Sequence, residues 1–444
     1  MEKGNLRALA PIGVFLVLYL GLGILFEYVL KIEMGFYSIP IVVIFLVALR
    51  VACVQNRKLS FDDKLAIMGR GIGDKTIVTM ILIFMAAGIF VGTVGRNSAE
   101  SVAYLMLSFI PPEFAVAVLF VVSCFVSLAM GTSVGTITLI TPISVAVSAA
   151  SGFDLPLCVA SVMGGAMFGD NLSFISDTTI AACQGQGCAM KDKFRENFKI
   201  ALPAALASLA IILVLSFKAN ITGTVIHEYE LIELIPYLIV LAGGIIGINV
   251  FIVLLLGILS GAIIMVATGA TAATDLLTSM GTGAAGMFET TMVAILVSAI
   301  CALIREYGGF VWLLNAIKNT FKNRKGGQLG MGILVGCMDI ATANNTVAIV
   351  MAAADMAKTY DISRRKTASI LDTFSCVFQG IIPYGAQMLI AIATTASAGY
   401  AITAFQIIPC LFYPFMLLIS SLVFIFLIPD HREYDGDDAE AIEA

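Results

Sequence analysis

The chain has 444 residues, of which 59% are hydrophobic and only 12% charged, and its mean hydropathy of +1.00 lies far from soluble usage, where about a quarter of residues are charged. That balance excludes a soluble protein and a nucleic-acid partner, and describes an all-α polytopic membrane protein whose partner is the lipid bilayer. The net charge of -5 says little, because the acidic tail 429–444 supplies much of it.

Lys3 and Arg7 precede the apolar run from Ala8 to Leu25 with no small-x-small cleavage site after it, so an uncleaved first helix is expected. Apolar segments follow near 38–54, 76–95, 114–130, 134–150, 157–182 and 199–217, then near 232–247, 250–268, 287–305, 328–338, 343–357, 367–395 and 403–428. We expect a single membrane domain, 1–444. Its first repeat is 1–217, its second, inverted, is 232–428, and 429–444 forms an acidic cytoplasmic tail. A shift of about 211 residues lays Gly169 on Gly380 and the third segment on 287–305. It also lays a basic loop, 318–325, on a basic-poor one, as an upside-down second copy requires.

Orientation follows Lys and Arg in short loops. Arg57, Lys58, Lys64, Arg70 and Lys75 mark one cytoplasmic loop, Lys191, Lys193, Arg195 and Lys199 another, and Arg364, Arg365 and Lys366 a third. A multi-pass protein of a prokaryotic cytoplasmic membrane, with both termini cytoplasmic, is the expectation. The nine cysteines lack metal-ligand spacing and read as small hydrophobes. His227 and His431, the only histidines, fall in polar segments, which argues against a zinc or nucleophile site. No cofactor is expected.

Polar breaks interrupt the apolar runs. Gly131 to Thr136 places Thr132, Ser133 and Thr136 among glycines at membrane depth, where unwound backbone persists only if it lines a cavity or is buried in protein. A re-entrant hairpin fits; an ordinary tight turn between short spans is the alternative. Asp339 to Thr346 is the matching place in the second half. There Asn344, Asn345 and Thr346 offer both carbonyl acceptors and amide donors, or simply cap a helix.

The second pair of breaks is Gly169 to Thr179 and Gly380 to Gln387. In the first, Asp170, Asn171, Ser173, Ser176, Asp177 and Thr178 form a dense oxygen cluster, the ligand type that hard cations such as sodium prefer. An Asp at a helix centre in lipid costs roughly 2.5 to 3.5 kcal/mol, so Asp170 and Asp177 face a cavity and bind something. Sodium and a proton would compete at such a carboxylate. The second break is neutral and contributes carbonyls and shape, with Gln379 and Tyr384 as substrate-facing candidates. Asp372 and Glu289 either line the site or cap helices and pair with Lys or Arg near the interface.

Gly131-Thr-Ser-Val-Gly-Thr136 and Gly169-Asp-Asn-Leu-Ser-Phe-Ile-Ser-Asp-Thr-Thr179 resemble two motifs of the NhaC-type sodium/proton antiporters of the ion transporter superfamily, with Phe174 where that pattern has proline. The resemblance extends more loosely over the second half. It implies inverted repeats, discontinuous helices, re-entrant hairpins and sodium/proton antiport. Dimers are common in that superfamily, so it admits a homodimer.

Two transport readings follow. The first is sodium/proton antiport by alternating access, with Asp170 and Asp177 as cation and proton carriers and Thr132, Ser133, Asn171, Ser173, Ser176 and Thr178 as ligands. The alternative couples sodium or protons to an amino acid or small organic acid, held by Asn344, Asn345, Thr346, Asp372, Gln379 and Tyr384. Enzymatic chemistry is not expected: Asp170 and Asp177 would stand about 10 Å apart on an intact helix. A channel would want a continuous polar lining, and no Gly-x-x-x-x-Gly-Lys-Ser/Thr phosphate loop is present.

Overall fold

Inside lipid a chain of apolar runs and short polar breaks can satisfy its backbone hydrogen bonds locally only as helices. The computed structural model describes residues 4–32, 35, 39–219, 230–352 and 356–427, and among them there is no strand. His227, His431 and the acidic tail lie outside the described residues. The first half comprises α1 (Ala10–Ile24), α2 (Ile41–Gln55), α3 (Phe61–Ile72), α4 (Lys75–Phe109), α5 (Pro112–Met130), α6 (Ser133–Ser151), α7 (Leu155–Leu172), α8 (Asp177–Gln186) and α9 (Met190–Lys218). It is followed by α10 (Ile235–Ile246), α11 (Val250–Ala267), α12 (Ala273–Gly286), α13 (Phe288–Glu306), α14 (Gly309–Thr320), α15 (Arg324–Thr342), α16 (Asn345–Ala352), α17 (Met356–Tyr360), α18 (Arg364–Ile381), α19 (Ala386–Ser397), α20 (Ala404–Ile407) and α21 (Phe412–Phe426).

Among the described residues nine helices are long and apolar enough to cross a membrane, or ten if Ala404–Cys410 and Phe412–Phe426, bent by 52°, form one span. The count is lower than the fourteen apolar segments of the sequence because Ile41–Gln55 and Leu231–Ile246 are apolar but shorter, α15 is not among the nine, and α16 has only eight residues. α7 with α8, and α18 with α19, each make one broken span, Leu155–Gln186 and Arg364–Ser397, in line with the single segments 157–182 and 367–395.

Large apolar side chains such as Val17, Phe109, Ile246 and Leu259 point outward, while Ser133, Thr136, Thr138, Thr141 and Ser144 of α6 are buried. Apolar outside and polar inside is the arrangement of a multi-pass membrane protein. At the centre stand α6 and α7, nearly every residue of which is buried, against α4, α5, α18 and α19. Helix α7 crosses α5 closely because Gly169 has no side chain: a Cβ there would stand 2.4 Å from the Cys124 carbonyl oxygen.

The order of elements recurs along the chain. At the shift of about 211 residues noted above, Pro112–Met130 falls on Arg324–Thr342, Leu155–Leu172 on Arg364–Ile381, and Asp177–Gln186 on Ala386–Ser397. Three basic residues read as loop markers are instead buried: Lys64, Lys193 and Lys366, at 6%, 1% and 5% exposure. Each has found a partner inside. Lys64 donates to the Cys53 carbonyl, Lys193 pairs with Asp372, and the Lys366 ammonium lies over the Phe424 ring.

Candidate functional site

Both halves break their helices by the same device. α5 ends where Gly131 turns left-handed (φ 68°) and its N–H bonds the Ser127 carbonyl; the next residue, Thr132, is extended and its hydroxyl accepts from the Gly135 N–H. α15 ends at Ala343, also left-handed (φ 47°), and the Asn344 side chain accepts from the Val347 N–H at 3.0 Å. A Cβ on Gly131 would meet Ile175 Cγ1 at 2.7 Å, so the first hairpin tip rests on the segment between α7 and α8. That segment is fastened in turn: Ser173 donates to the Leu128 carbonyl at 2.8 Å.

Asp170, in the last turn of α7, is buried where these breaks meet. Its Oδ2 accepts from the Ser133 hydroxyl at 2.7 Å and its Oδ1 from the Ser176 hydroxyl at 2.6 Å. Ser176 also lies 2.8 Å from the Thr178 hydroxyl; with the Ser176 proton committed to the carboxylate, Thr178 is the donor of that pair. From the second half, the Gln387 amide donates to Ser133 Oγ at 3.1 Å. The carboxylate is thus tied to the start of α6, to the break after α7 and, through Ser133, to the second half.

These groups border a cavity of about 80 Å³, several times the 10–15 Å³ that one water requires. Its lining includes Thr132, Ser133, Asp170, Ser176, Asp177 and Thr178 from the first half and Asn344, Asn345, Thr346 and Gln379 from the second. Thr76, Thr79 and Gln387 complete the polar wall, and among the described residues no lysine or arginine lines it. Among the described residues the buried Oε1 atoms of Gln379 and Gln387 have no hydrogen-bond partner. A carboxylate, hydroxyls and free amide oxygens form a donor set suited to a hard monovalent cation such as sodium. Among the described residues no three His, Cys, Asp or Glu side chains gather as a metal cage.

Four predicted residues lie outside this lining. Ser173 is used in fastening the break, and Tyr384 donates to the Ile340 carbonyl at 2.6 Å. Asn171 and Asp372 belong to a second buried network. There Lys193 Nζ pairs with the Asp372 carboxylate and donates to the Asn171 carbonyl at 2.9 Å and to Thr179 Oγ1 at 2.8 Å. Asn197 donates to Asn171 Oδ1 and to Asp372 Oδ2, and its own Oδ1 accepts from Ser369 at 2.5 Å. A carboxylate so committed to an ammonium and an amide leaves Asp170 and Asp177 as the acids of the cavity lining. Glu289, second residue of α13, is exposed.

Asn344 also lines a larger cavity, of about 300 Å³, bordered by Arg70, Asp74, Arg305 and Glu306. It therefore stands between a charged vestibule and the Asp170 cavity.

Lys193, Asn197 and Gln387 were not singled out from sequence. Lys193 sits between Lys191 and Arg195 and reads as a loop charge; its i,i+4 spacing to Asn197, on the face that carries Ile200, Ala201 and Ala204, is the signal that places it inside.

Residues 6–217 match the Na+/H+ antiporter family, so the resemblance carried by the two first-half motifs is borne out there. A malate-2H(+)/Na(+)-lactate antiporter of Bacillus subtilis is 26% identical over 209 residues, 46% of this chain and 42% of its own. An uncharacterized Na(+)/H(+) antiporter of Haemophilus influenzae is 28% identical over 39% of this chain and 41% of its own. An arginine/ornithine antiporter of Halobacterium salinarum is 27% identical over 37% and 33%. The matched stretch spans less than half the length of each of these relatives.

Proposed function

We propose that the protein is a secondary active transporter that exchanges sodium for protons by alternating access, cation and proton competing at Asp170. The observation that carries this reading is the Asp170 carboxylate, buried in a cavity lined by hydroxyls and by two amide oxygens that have no partner among the described residues, none of which places a lysine or arginine in its wall. A sodium ion there would neutralise the carboxylate and take up the free oxygens; a proton would neutralise it without them. Asp177, exposed at the first turn of α8, borders the same cavity and would attract the incoming cation.

Two inverted repeats, 1–217 and 232–428, supply the moving parts in this reading, supported by the recurrence of helix boundaries and by the paired left-handed breaks. The vestibule beyond Asn344, with Arg70 and Arg305, is its cytoplasmic mouth in a prokaryotic cytoplasmic membrane.

A second reading, sodium- or proton-coupled exchange of a small organic acid or amino acid, is favoured by two relatives named for such cargo. Asn344, Asn345 and Thr346 would then hold the solute. One experiment separates the two. Purified protein in proteoliposomes with a trapped pH dye receives external sodium, with and without a panel of carboxylates and amino acids. Sodium alone moving protons, abolished in Asp170→Asn, supports ion exchange; movement only with one organic solute sinks it in favour of the solute carrier.

A further inference from the structure

We propose that Lys193 is a tethered cation filling a second cation position, built back to back with the Asp170 cavity, so that the mobile cation is left the Asp170 position alone. The choice of Asp170 for the mobile ion rests on the antiport reading; the filling of the second position does not.

The two positions share one break in the chain. Asp170, Ser176 and Thr178 line the cavity, whereas Asn171 and Thr179, the neighbours of the first and last of these, meet Lys193 instead. The Lys193 Nζ donates to the Asn171 carbonyl at 2.9 Å and to Thr179 Oγ1 at 2.8 Å, and Asp372 Oδ2 takes its third proton. A carbonyl, a hydroxyl and a carboxylate thus surround one positive charge. All three are hard oxygen ligands with one negative charge among them, the set that a sodium ion would take.

The surroundings hold those oxygens in place. Asn197 donates to the Asn171 carbonyl at 3.0 Å, to Asn171 Oδ1 at 2.9 Å and to Asp372 Oδ2 at 3.0 Å, and its own Oδ1 accepts from Ser369. Lys193, Asp372, Asn171, Thr179 and Asn197 are each at most 2% exposed, so water does not screen the charge. Asn171 and Thr179 come from the first half and Asp372 from the second, so the ammonium joins the two halves as a bound ion would.

An ammonium on a stem carries the charge of sodium but cannot leave. Asp372 therefore keeps its partner and takes up no ion. Lys193 reaches the position from the first turn of α9, where Lys191 is exposed, so cutting the side chain back to alanine vacates the position from that end.

Thermal unfolding of the purified protein, with sodium chloride exchanged for choline chloride at constant ionic strength, tests this in an Asp170→Asn background that lacks the carboxylate of the first cavity. With Lys193 intact, the unfolding midpoint should be the same in both salts. Asp170→Asn/Lys193→Ala should be unstable in choline and regain stability in sodium. Its folding equilibrium constant should rise about tenfold for each tenfold increase in sodium above the dissociation constant of the site. Adding Asp372→Asn should abolish that dependence. A sodium dependence present with Lys193 intact and lost on Asp372→Asn overturns the proposal, because Asp372 then takes sodium beside its lysine. So does an Asp170→Asn/Lys193→Ala protein that gains nothing from sodium or stays unfolded in it. Because Asp170 is absent throughout and no transport is measured, failure of the antiport reading leaves this result intact.

Discussion

Asp170 and Ser176 stand on opposite sides of the break that ends α7, and a 2.6 Å hydrogen bond joins them. Ser176 is also the residue before α8, accepting from the Thr178 N–H at 3.3 Å, so one side chain both starts a helix and holds the carboxylate. Ser176→Ala removes a hydrogen bond to a charged group, worth about 1.5 to 3 kcal/mol. The apparent sodium affinity, read from the shift of the thermal unfolding midpoint with added sodium, should fall by roughly tenfold or more. An unaltered sodium dependence would show that Asp170 does not hold the ion.

Competition at one carboxylate fixes the direction of the pH effect. In the proposed mechanism proton and sodium cannot occupy Asp170 together, so acidification should weaken sodium binding and alkalinisation should strengthen it until the acid is fully ionised. On the acid side the apparent sodium constant should rise about tenfold per pH unit, then become flat on the alkaline side. Asp170→Asn should show no slope at any pH. Sodium titrations of the unfolding midpoint across pH measure this, and a slope of the opposite sign would exclude competition.

The Lys193–Asp372 pair makes a different prediction, because both groups are buried and neither lines the cavity. Removing one partner strands the other charge, which costs about 3 to 5 kcal/mol, whereas replacing both with apolar side chains of like size is often nearly neutral. Lys193→Met and Asp372→Leu should each lower the unfolding midpoint strongly, and the double substitution should recover most of the loss. If the double variant is as unstable as the sum of the singles, the two groups do not act as a pair.

These two carboxylates also mark how far the sequence could be read. The breaks were legible because glycine and hydroxyl residues at membrane depth have few structural uses, and the structure breaks its helices at Gly131, Ser173, Ala343 and Ile382. Asp170 was legible for the same reason. Asp372 was not, since its role depends on Lys193, 179 residues away, and nothing local says which buried acid receives which base. Lys193 itself was hidden by its basic neighbours. Gln387 escaped notice as a neutral residue after a proline turn, although its amide reaches Ser133 across 254 residues. Pairings made by the meeting of two halves are long-range facts, invisible to spacing.

Ala343 and Asn344 allow stability and transport to be separated at the second break. Ala343 holds a left-handed conformation that costs a residue with a Cβ about 1 to 2 kcal/mol, at the place where the first half has Gly131. Ala343→Gly should therefore stabilise the protein by about 1 kcal/mol. Asn344 does two things: its Oδ1 caps α16, and its side chain lies between the vestibule and the Asp170 cavity. Asn344→Ala should lose about 1 kcal/mol of capping. Asn344→Asp keeps the acceptor and hence the fold, but adds a negative charge between the two cavities, on the proposed route of the ion, so it should retain the unfolding midpoint while changing the sodium dependence of exchange. Equal losses of stability and exchange in both variants would reduce Asn344 to a cap alone.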